Sequence, residues 1–266
     1  MPRAKSIRRD CRPVVLTIAG SDSGGGAGIQ ADLRTFTRFG VHGLSCLTCL
    51  TAQNPKGVRG VFPIHPRFLR LQLEAVSQEL PPQAAKTGML YSASLIREVV
   101  AWRRTYRALP LVVDPVMVAT SGARLLKASA IRQLCDQLFP LASLITPNLD
   151  EAAALLGWAV RHEEELEEAA RQLHGRWGCP VLLKGGHLVG VPDAVDVFWD
   201  GCTEVRMKAP FVRGVSTHGT GCTYSAAIVA RVALGDGLAE AVRIAKRHVT
   251  ACIRGSVRIG RHFTLA

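Results

Sequence analysis

Five short segments carry residue types able to hold phosphate and move a proton. The most specific is His218-Gly219-Thr220-Gly221-Cys222-Thr223, which opens an apolar helical pattern over 224–234. Glycines at a helix start let backbone N–H groups close on an anion. The positive end of the helix dipole favours phosphate charge there. It is also expected to lower the pKa of Cys222, since thiolate is favoured at such a position. The plainer reading is a helix cap with a packed cysteine. Asp114, Asn148 and Glu151 supply oxygens. Asn148-x-x-Glu151 sets two side chains on one face of a helix's first turn, and hard oxygen ligands of this kind suit Mg²⁺ through waters. The same spacing also makes a capping box. Lys184, followed by Gly185-Gly186, offers a cation for phosphate, or simply a solvated lysine at a turn.

The glycine loop over 20–28 is less specific. Gly26-Ala27-Gly28-Ile29-Gln30-Ala31 fits the loose GxGxxA dinucleotide pattern. However, it begins several residues beyond the strand-like run, and Gln53 stands where an acid is expected after the second strand. A dinucleotide-binding dehydrogenase is therefore disfavoured. No GxxxxGK[ST] sequence occurs, which argues against a P-loop fold. Cys46-x-x-Cys49 lies within a strand-like run over 44–52, where residues three apart face opposite sides. Core packing is expected there, not zinc or redox chemistry.

The elements that must position these residues alternate along the chain. Apolar runs at 14–19, 44–52, 109–113, 144–145 and 181–183 have strand character. Helical spacing appears over 27–39, closed by Gly40, and over 66–80, with Pro66 near its start. It recurs over 127–139, 163–177, 219–234 and 238–253. The acidic start Glu163-Glu164-Glu165 suits a helix N-terminus. Residues 195–199 and 204–208 read as a hairpin turning at Asp200-Gly201. Alternating strands and helices predict a mostly parallel sheet covered on both faces. In such sheets ligands bind beyond the carboxyl ends of the strands. That is where Gly20-Ser21-Asp22, Gln53-Asn54, Gly88-Met89, Asp114-Pro115, Thr146-Pro147-Asn148 and Lys184-Gly185-Gly186 fall. No composition shift divides the chain, so one domain is expected over 13–254, between basic tails at 1–12 and 255–266.

The chain has 266 residues and a formal net charge of +12, with 48% hydrophobic residues. This excludes disordered, collagen-like and coiled-coil classes. No apolar run approaches the roughly 18–20 residues of a membrane span, and no membrane partner is expected. The charge could mark a polyanionic partner, but it is concentrated at the ends. Arg3, Lys5, Arg8, Arg9 and Arg12 face only Asp10, and Arg254, Arg258 and Arg261 face no acid, leaving +5 on the body. No helix of the body shows a one-sided basic stripe, so nucleic acid is not the expected partner. The basic start runs into Pro13 and a strand-like segment with no signal-like apolar region. The eight scattered cysteines suit a reduced, cytoplasmic setting.

Together these residues resemble the hydroxymethylpyrimidine/phosphomethylpyrimidine kinases of thiamine biosynthesis, in the ribokinase-like superfamily. The matching segments, in the family's order, run from Ala19-Gly20-Ser21-Asp22-Ser23-Gly24-Gly25-Gly26-Ala27-Gly28 through Ile29-Gln30-Ala31-Asp32 to Thr51-Ala52-Gln53-Asn54 and Lys86-Thr87-Gly88-Met89-Leu90. They continue through Asp114-Pro115-Val116-Met117, Thr146-Pro147-Asn148-x-x-Glu151 and Leu183-Lys184-Gly185-Gly186-His187 to His218-Gly219-Thr220-Gly221-Cys222-Thr223. The resemblance implies a three-layer α/β/α ribokinase-like fold with a mostly parallel central sheet, and a homodimer. It implies ATP and Mg²⁺. It implies phosphorylation of 4-amino-5-hydroxymethyl-2-methylpyrimidine, then of its monophosphate to the diphosphate; pyridoxine or pyridoxal kinase activity of vitamin B6 salvage is the alternative. By motif, Gly20, Asp32, Gln53, Met89 and Val116 would line the pyrimidine pocket. Asp114, Asn148 and Glu151 would manage Mg²⁺. Asp114, Thr146, Lys184, Gly219 and Gly221 would serve the nucleotide. Gly219, Thr220 and Gly221 would form the anion hole with the catalytic Cys222, and Lys184 would contact the phosphates. Thr120 stands where relatives commonly carry Lys.

Overall fold

A computed structural model describes residues 11–117, 126, 128–186, 188, 191–212 and 218–265. The chain runs β1 (Val14–Asp22), α1 (Gly28–Arg38), β2 (His42–Asn54), β3 (Gly57–Pro63), α2 (Pro66–Glu79), β4 (Ala84–Thr87), α3 (Ala93–Thr105) and β5 (Leu111–Val113). After α4 (Ala128–Gln133), a π turn over Leu134–Leu138 and a 3₁₀ turn over Phe139–Leu141, it continues with β6 (Leu144–Ile145), α5 (Leu149–Leu156), α6 (Glu165–Trp177) and β7 (Val181–Lys184). The β8 (Asp193–Trp199)–β9 (Glu204–Pro210) hairpin, α7 (Thr220–Ala233) and α8 (Leu238–Arg254) follow, then a small hairpin of β10 (Val257–Ile259) and β11 (His262–Thr264). That hairpin lies within the expected C-terminal tail. Thr120 and His187 lie outside the described residues, as do the first ten.

Nine strands form one sheet in the order β3-β2-β1-β4-β5-β6-β7-β8-β9. The six strands from β2 to β7 are parallel, while β3, β8 and β9 pair antiparallel at the two edges. Side chains of a strand alternate between faces, and the core follows that period. Val15, Ala84, Val112, Leu144 and Leu182 face α1, α7 and α8. Leu16, Ile18, Ala85, Leu111, Val113, Ile145, Val181 and Leu183 face α2–α6. The expected three-layer arrangement is present.

Two elements near the site were not legible. β4 reads Ala-Ala-Lys-Thr, with little β propensity and a lysine, yet all four residues are buried. The helical spacing expected over 127–139 breaks into α, π and 3₁₀ turns ahead of β6. Pro140 lacks the N–H that would continue an α-helical ladder.

Candidate active site

The strand order reverses direction around β1, which lies between β2 and β4. Loops leaving the carboxyl ends on either side of such a point diverge and open a crevice. A cavity occupies that edge of the sheet. Gly20, Gln53, Met89, Asp114, Val116, Asn148, Glu151, Lys184 and the 219–222 segment all border it.

The start of α7 makes one wall. Gly219 is its N-cap, with φ +84°, a conformation that favours glycine. A Cβ there would also fall 2.0 Å from the Gly26 carbonyl oxygen. Only glycine therefore lets the β1–α1 loop lie against this helix end. Beside it stand two charges: Lys184 Nζ donates to Asp114 Oδ1 at 3.0 Å. They lie 3.5 Å and 3.6 Å from where a Cβ on Gly221 would project. Thr146 Oγ1 and Ser225 Oγ also donate to Asp114. Burial pushes the Asp114 carboxyl up, but Lys184 and then Lys86 outweigh it and hold it below the usual range. Thr146 was expected to meet the nucleotide. It is buried and does not border the cavity; it orients Asp114 instead.

Asn148 and Glu151 form a complete capping box. Asn148 Oδ1 accepts from the Glu151 N–H, and Glu151 Oε2 accepts from the Asn148 N–H. Glu151 Oε1 accepts from the Met117 N–H. The capping-box reading of this spacing is present, and Asn148 and Glu151 both border the cavity. Among the described residues no group of three or more His, Cys, Asp or Glu could cage a metal. The Asp114 and Glu151 carboxylates fit a Mg²⁺ ion held through waters and substrate phosphates, the usual mode for this cation. Burial raises Glu151's affinity for a proton, and Lys184 opposes it.

On the other side of the crevice, Met89 and Val116 border the space beside Gly20 and Gln53. Val116 has φ +42°, a strained conformation for a β-branched residue. Its neighbours fix it: Pro115 precedes it, and the Met117 N–H is bound to Glu151. Asp32 does not belong to this pocket. Its side chain is fully buried, Oδ1 accepts from Lys86 Nζ at 2.6 Å, and Oδ2 accepts from Thr17 Oγ1 at 2.6 Å. Thr17 and Lys86 are register partners on β1 and β4, and the carboxylate plugs the gap above them.

The expectation of a low Cys222 pKa is overturned. Burial pushes the thiol up to about 11, against the pull of Lys86 and of the Gly28 N–H. Desolvation of the thiolate thus outweighs those two attractions. Cys46 and Cys49 are buried and free, as expected of core residues.

Two features were missed from sequence. Asp22 Oδ1 accepts from the Gly24 N–H, and Oδ2 from the Gly26 and Ala27 N–H groups, so it organises the glycine loop. Its Oδ2 also lies 3.1 Å from His218 Nε2, tying the loop to α7. Beyond Lys184 the cavity extends into an apolar slot bordered by Phe211, Val212, Val249 and Ile253. The spacing of Lys246, Val249, Thr250 and Ile253 on α8 was the available signal, because residues at that interval share one helix face.

Several known proteins are similar to this chain. The family model described as phosphomethylpyrimidine kinase covers residues 22–265. The hydroxymethylpyrimidine/phosphomethylpyrimidine kinase of Synechococcus elongatus is 47% identical over 249 residues, 94% of each chain. The thiamine biosynthesis bifunctional protein ThiED of Geobacter sulfurreducens is 50% identical over 250 residues, 94% of this chain; the alignment spans about half (51%) of that protein. The solved structure of Bacillus subtilis pyridoxal kinase in an ADP complex superposes with a TM-score of 0.88 at 37% identity, covering 96% of this chain and 97% of that one.

Proposed function

The chain belongs to the phosphomethylpyrimidine kinase family, is a kinase of ribokinase-like fold, and we propose that it phosphorylates 4-amino-5-hydroxymethyl-2-methylpyrimidine from ATP and then converts that monophosphate to the diphosphate, in thiamine diphosphate biosynthesis. One observation carries this reading. The N-terminus of α7, Lys184 and Asp114 converge on one wall of a cavity whose opposite wall presents Gln53, Met89 and Val116.

Phosphoryl transfer is mainly positioning and charge neutralisation. The N–H groups at the start of α7 receive the transferred phosphate, and Lys184 neutralises its charge. The apolar slot takes the nucleotide base. Met89 and Val116 flank the aromatic ring of the substrate, while the Gln53 amide, donor and acceptor at once, reads its edge. Asp114 and Glu151 would hold Mg²⁺ through waters, and the ion when bound would spread charge across the phosphates. Cys222 lies at the helix start; the small fraction that has already released its proton to solvent is thiolate, which takes the proton of the substrate hydroxyl as the phosphoryl group is transferred and so becomes the thiol. The second transfer needs no such base, because a phosphate monoester with a second pKa of about 6 is already ionised.

The test is single-turnover phosphorylation of the hydroxymethylpyrimidine and of its monophosphate by the wild type and by Cys222→Ala. General-base removal is expected to slow the first step by about 10² or more and the second by less than about fivefold. Equal losses would remove Cys222 from that role. Pyridoxal serves as the rival substrate, and a higher kcat/KM for it than for the pyrimidine would overturn the substrate assignment. We further propose a homodimer, supported by Phe62 and Phe68, which are 68% and 55% exposed around one groove at the β3 edge. A reduced cytoplasmic setting is supported by eight free cysteines.

A further inference from the structure

Asp196 and Lys246 form a buried ion pair that the proposed reaction leaves without a task. Asp196 lies on β8 and is the cross-strand register partner of Lys184 on β7. Its Oδ1 accepts from the Gly185 N–H at 3.0 Å, and its Oδ2 accepts from Lys246 Nζ at 2.8 Å. Lys246, from α8, also donates to the Ala194 carbonyl at 3.1 Å. Both side chains are almost fully buried, yet both border the cavity beside Tyr224.

A buried ion pair is a poor way to gain stability. Desolvating two charges costs about as much as their attraction returns, and apolar replacements are often neutral or better. Holding one backbone N–H requires only a neutral acceptor. What the pair adds is a rigid link between two parts of the cavity. Lys246 shares a face of α8 with Val249, Thr250 and Ile253, which border the apolar slot. Asp196 grips the peptide that follows Lys184. The Lys184 N–H is itself bound to the Pro147 carbonyl at 2.9 Å, so two successive N–H groups are pinned at the point where the Lys184 side chain departs. Gly185 lies so close to β8 that a Cβ there would fall 2.1 Å from the Val195 carbonyl oxygen, leaving the turn no slack.

We infer that Asp196 and Lys246 are positioning residues for phosphoryl transfer, acting through the Gly185 peptide to aim Lys184 at the transferred phosphate and linking that aim to the slot that holds the nucleotide. The inference rests on the reading of Lys184 as the phosphate-contacting cation. It concerns the geometry of transfer and not the strength of nucleotide binding. A small misplacement of a charged group in a transfer site costs far more in turnover than in affinity.

The experiment is a double-mutant cycle on the full chain, with the hydroxymethylpyrimidine as acceptor. Asp196→Ala is expected to lower kcat by about 30-fold, by misplacement, while the Kd for ADP by calorimetry changes less than about threefold. In a Lys184→Met background the same substitution should cost less than about threefold more, because residues acting as one unit are not additive. Lys246→Arg, which keeps the charge, should hold kcat within about fivefold of wild type, and Lys246→Met should not. If Asp196→Ala does not fold, Asp196→Asn with Lys246→Met replaces the pair by neutral side chains of similar size and carries the same comparison, with a loss of about tenfold expected only when Lys184 is present. Equal losses with and without Lys184, or no loss in its presence, overturn the inference while leaving Lys184 its role. Full turnover in Lys184→Met alone overturns both.

Discussion

Two of the three lysine–aspartate pairs among the described residues adjoin the start of α7 at different depths, and depth separates their tasks. Lys86 and Asp32 meet at 2.6 Å with neither side chain exposed. Lys184 and Asp114 meet at 3.0 Å with side-chain exposures of 14% and 4%, on the cavity wall. Asp32 has both oxygens filled, by Lys86 and by Thr17. Burial pushes its carboxyl up, and Lys86 opposes that. Asp114 resolves the same conflict the other way: its two lysines outweigh its burial. Lys184 uses one of its three donors on Asp114 and faces the cavity with the rest of its ammonium. The inner pair is closed to ligands and knits α1 to β1 and β4. The outer pair has a partner to gain.

The comparison breaks if the two lysines respond alike to removal. Lys184→Met is expected to lower kcat by about 10²–10³, as loss of a transition-state charge contact does, with a small change in Tm. Lys86→Met should do the reverse in stability, costing about 3–5 kcal/mol by leaving Asp32 charged and unpaired in the interior. Lys86→Met combined with Asp32→Leu should recover most of that loss, since apolar replacement of a whole buried pair is often neutral. Denaturant titration beside steady-state kinetics checks all three variants. A Lys86→Met protein as stable as wild type would show that the inner pair carries no structural load.

The same contrast explains what the sequence could reveal. The outer pair was legible because Asp114, Lys184 and the glycines at 219 and 221 sit at strand and helix ends, where residue type and position agree. The inner pair was not. Asp32 falls on α1 within a recognisable motif, and motif position alone sent it to the substrate pocket. Only the register of Thr17 with Lys86, a long-range fact, shows that its carboxylate is consumed within the core. β4 was hidden for the same reason, since a lysine in a four-residue strand looks polar until its partner from α1 is seen. Cys222 shows the limit of local rules: the helix start was read correctly, but burial dominates its thiol, and the charges of Lys86, Asp32 and Asp114, which act on it from other elements, are invisible in the local sequence. The pairing of Lys246 with Asp196 carried no local signal, because the two lie 50 residues apart.

Cys222 stands between the two pairs, and its titration offers a finer test. Burial holds the thiol at about 11 while the Lys86 charge pulls it down. A base that must be thiolate is scarce below that value, and its fraction grows about tenfold per pH unit. The first phosphorylation should therefore accelerate from pH 7 to 9 in single-turnover measurements. The second has a nucleophile with a pKa of about 6 and should be flat over the same range. Parallel profiles for the two steps would mean that Cys222 does not titrate in the reaction.

The smallest effect is expected where charge is most abundant. The basic ends hold Arg3, Lys5, Arg8, Arg9 and Arg12, then Arg258 and Arg261, but Ile253 is the last residue to border the cavity. Val257 and Ile259 of the final hairpin are 46% and 64% exposed and bury little against the body. Surface charges act on a distant ligand only within a screening length of about 10 Å at 0.1 M salt, whereas Lys184 acts by contact. Removing residues 1–10 and 256–266 should leave kcat within about twofold and reduce kcat/KM for ATP by less than about threefold even at low ionic strength, where electrostatic steering is strongest. A larger, salt-sensitive fall would show that the tails gather the nucleotide, and that contact with the inner charges is not the whole of this protein's dealings with anions.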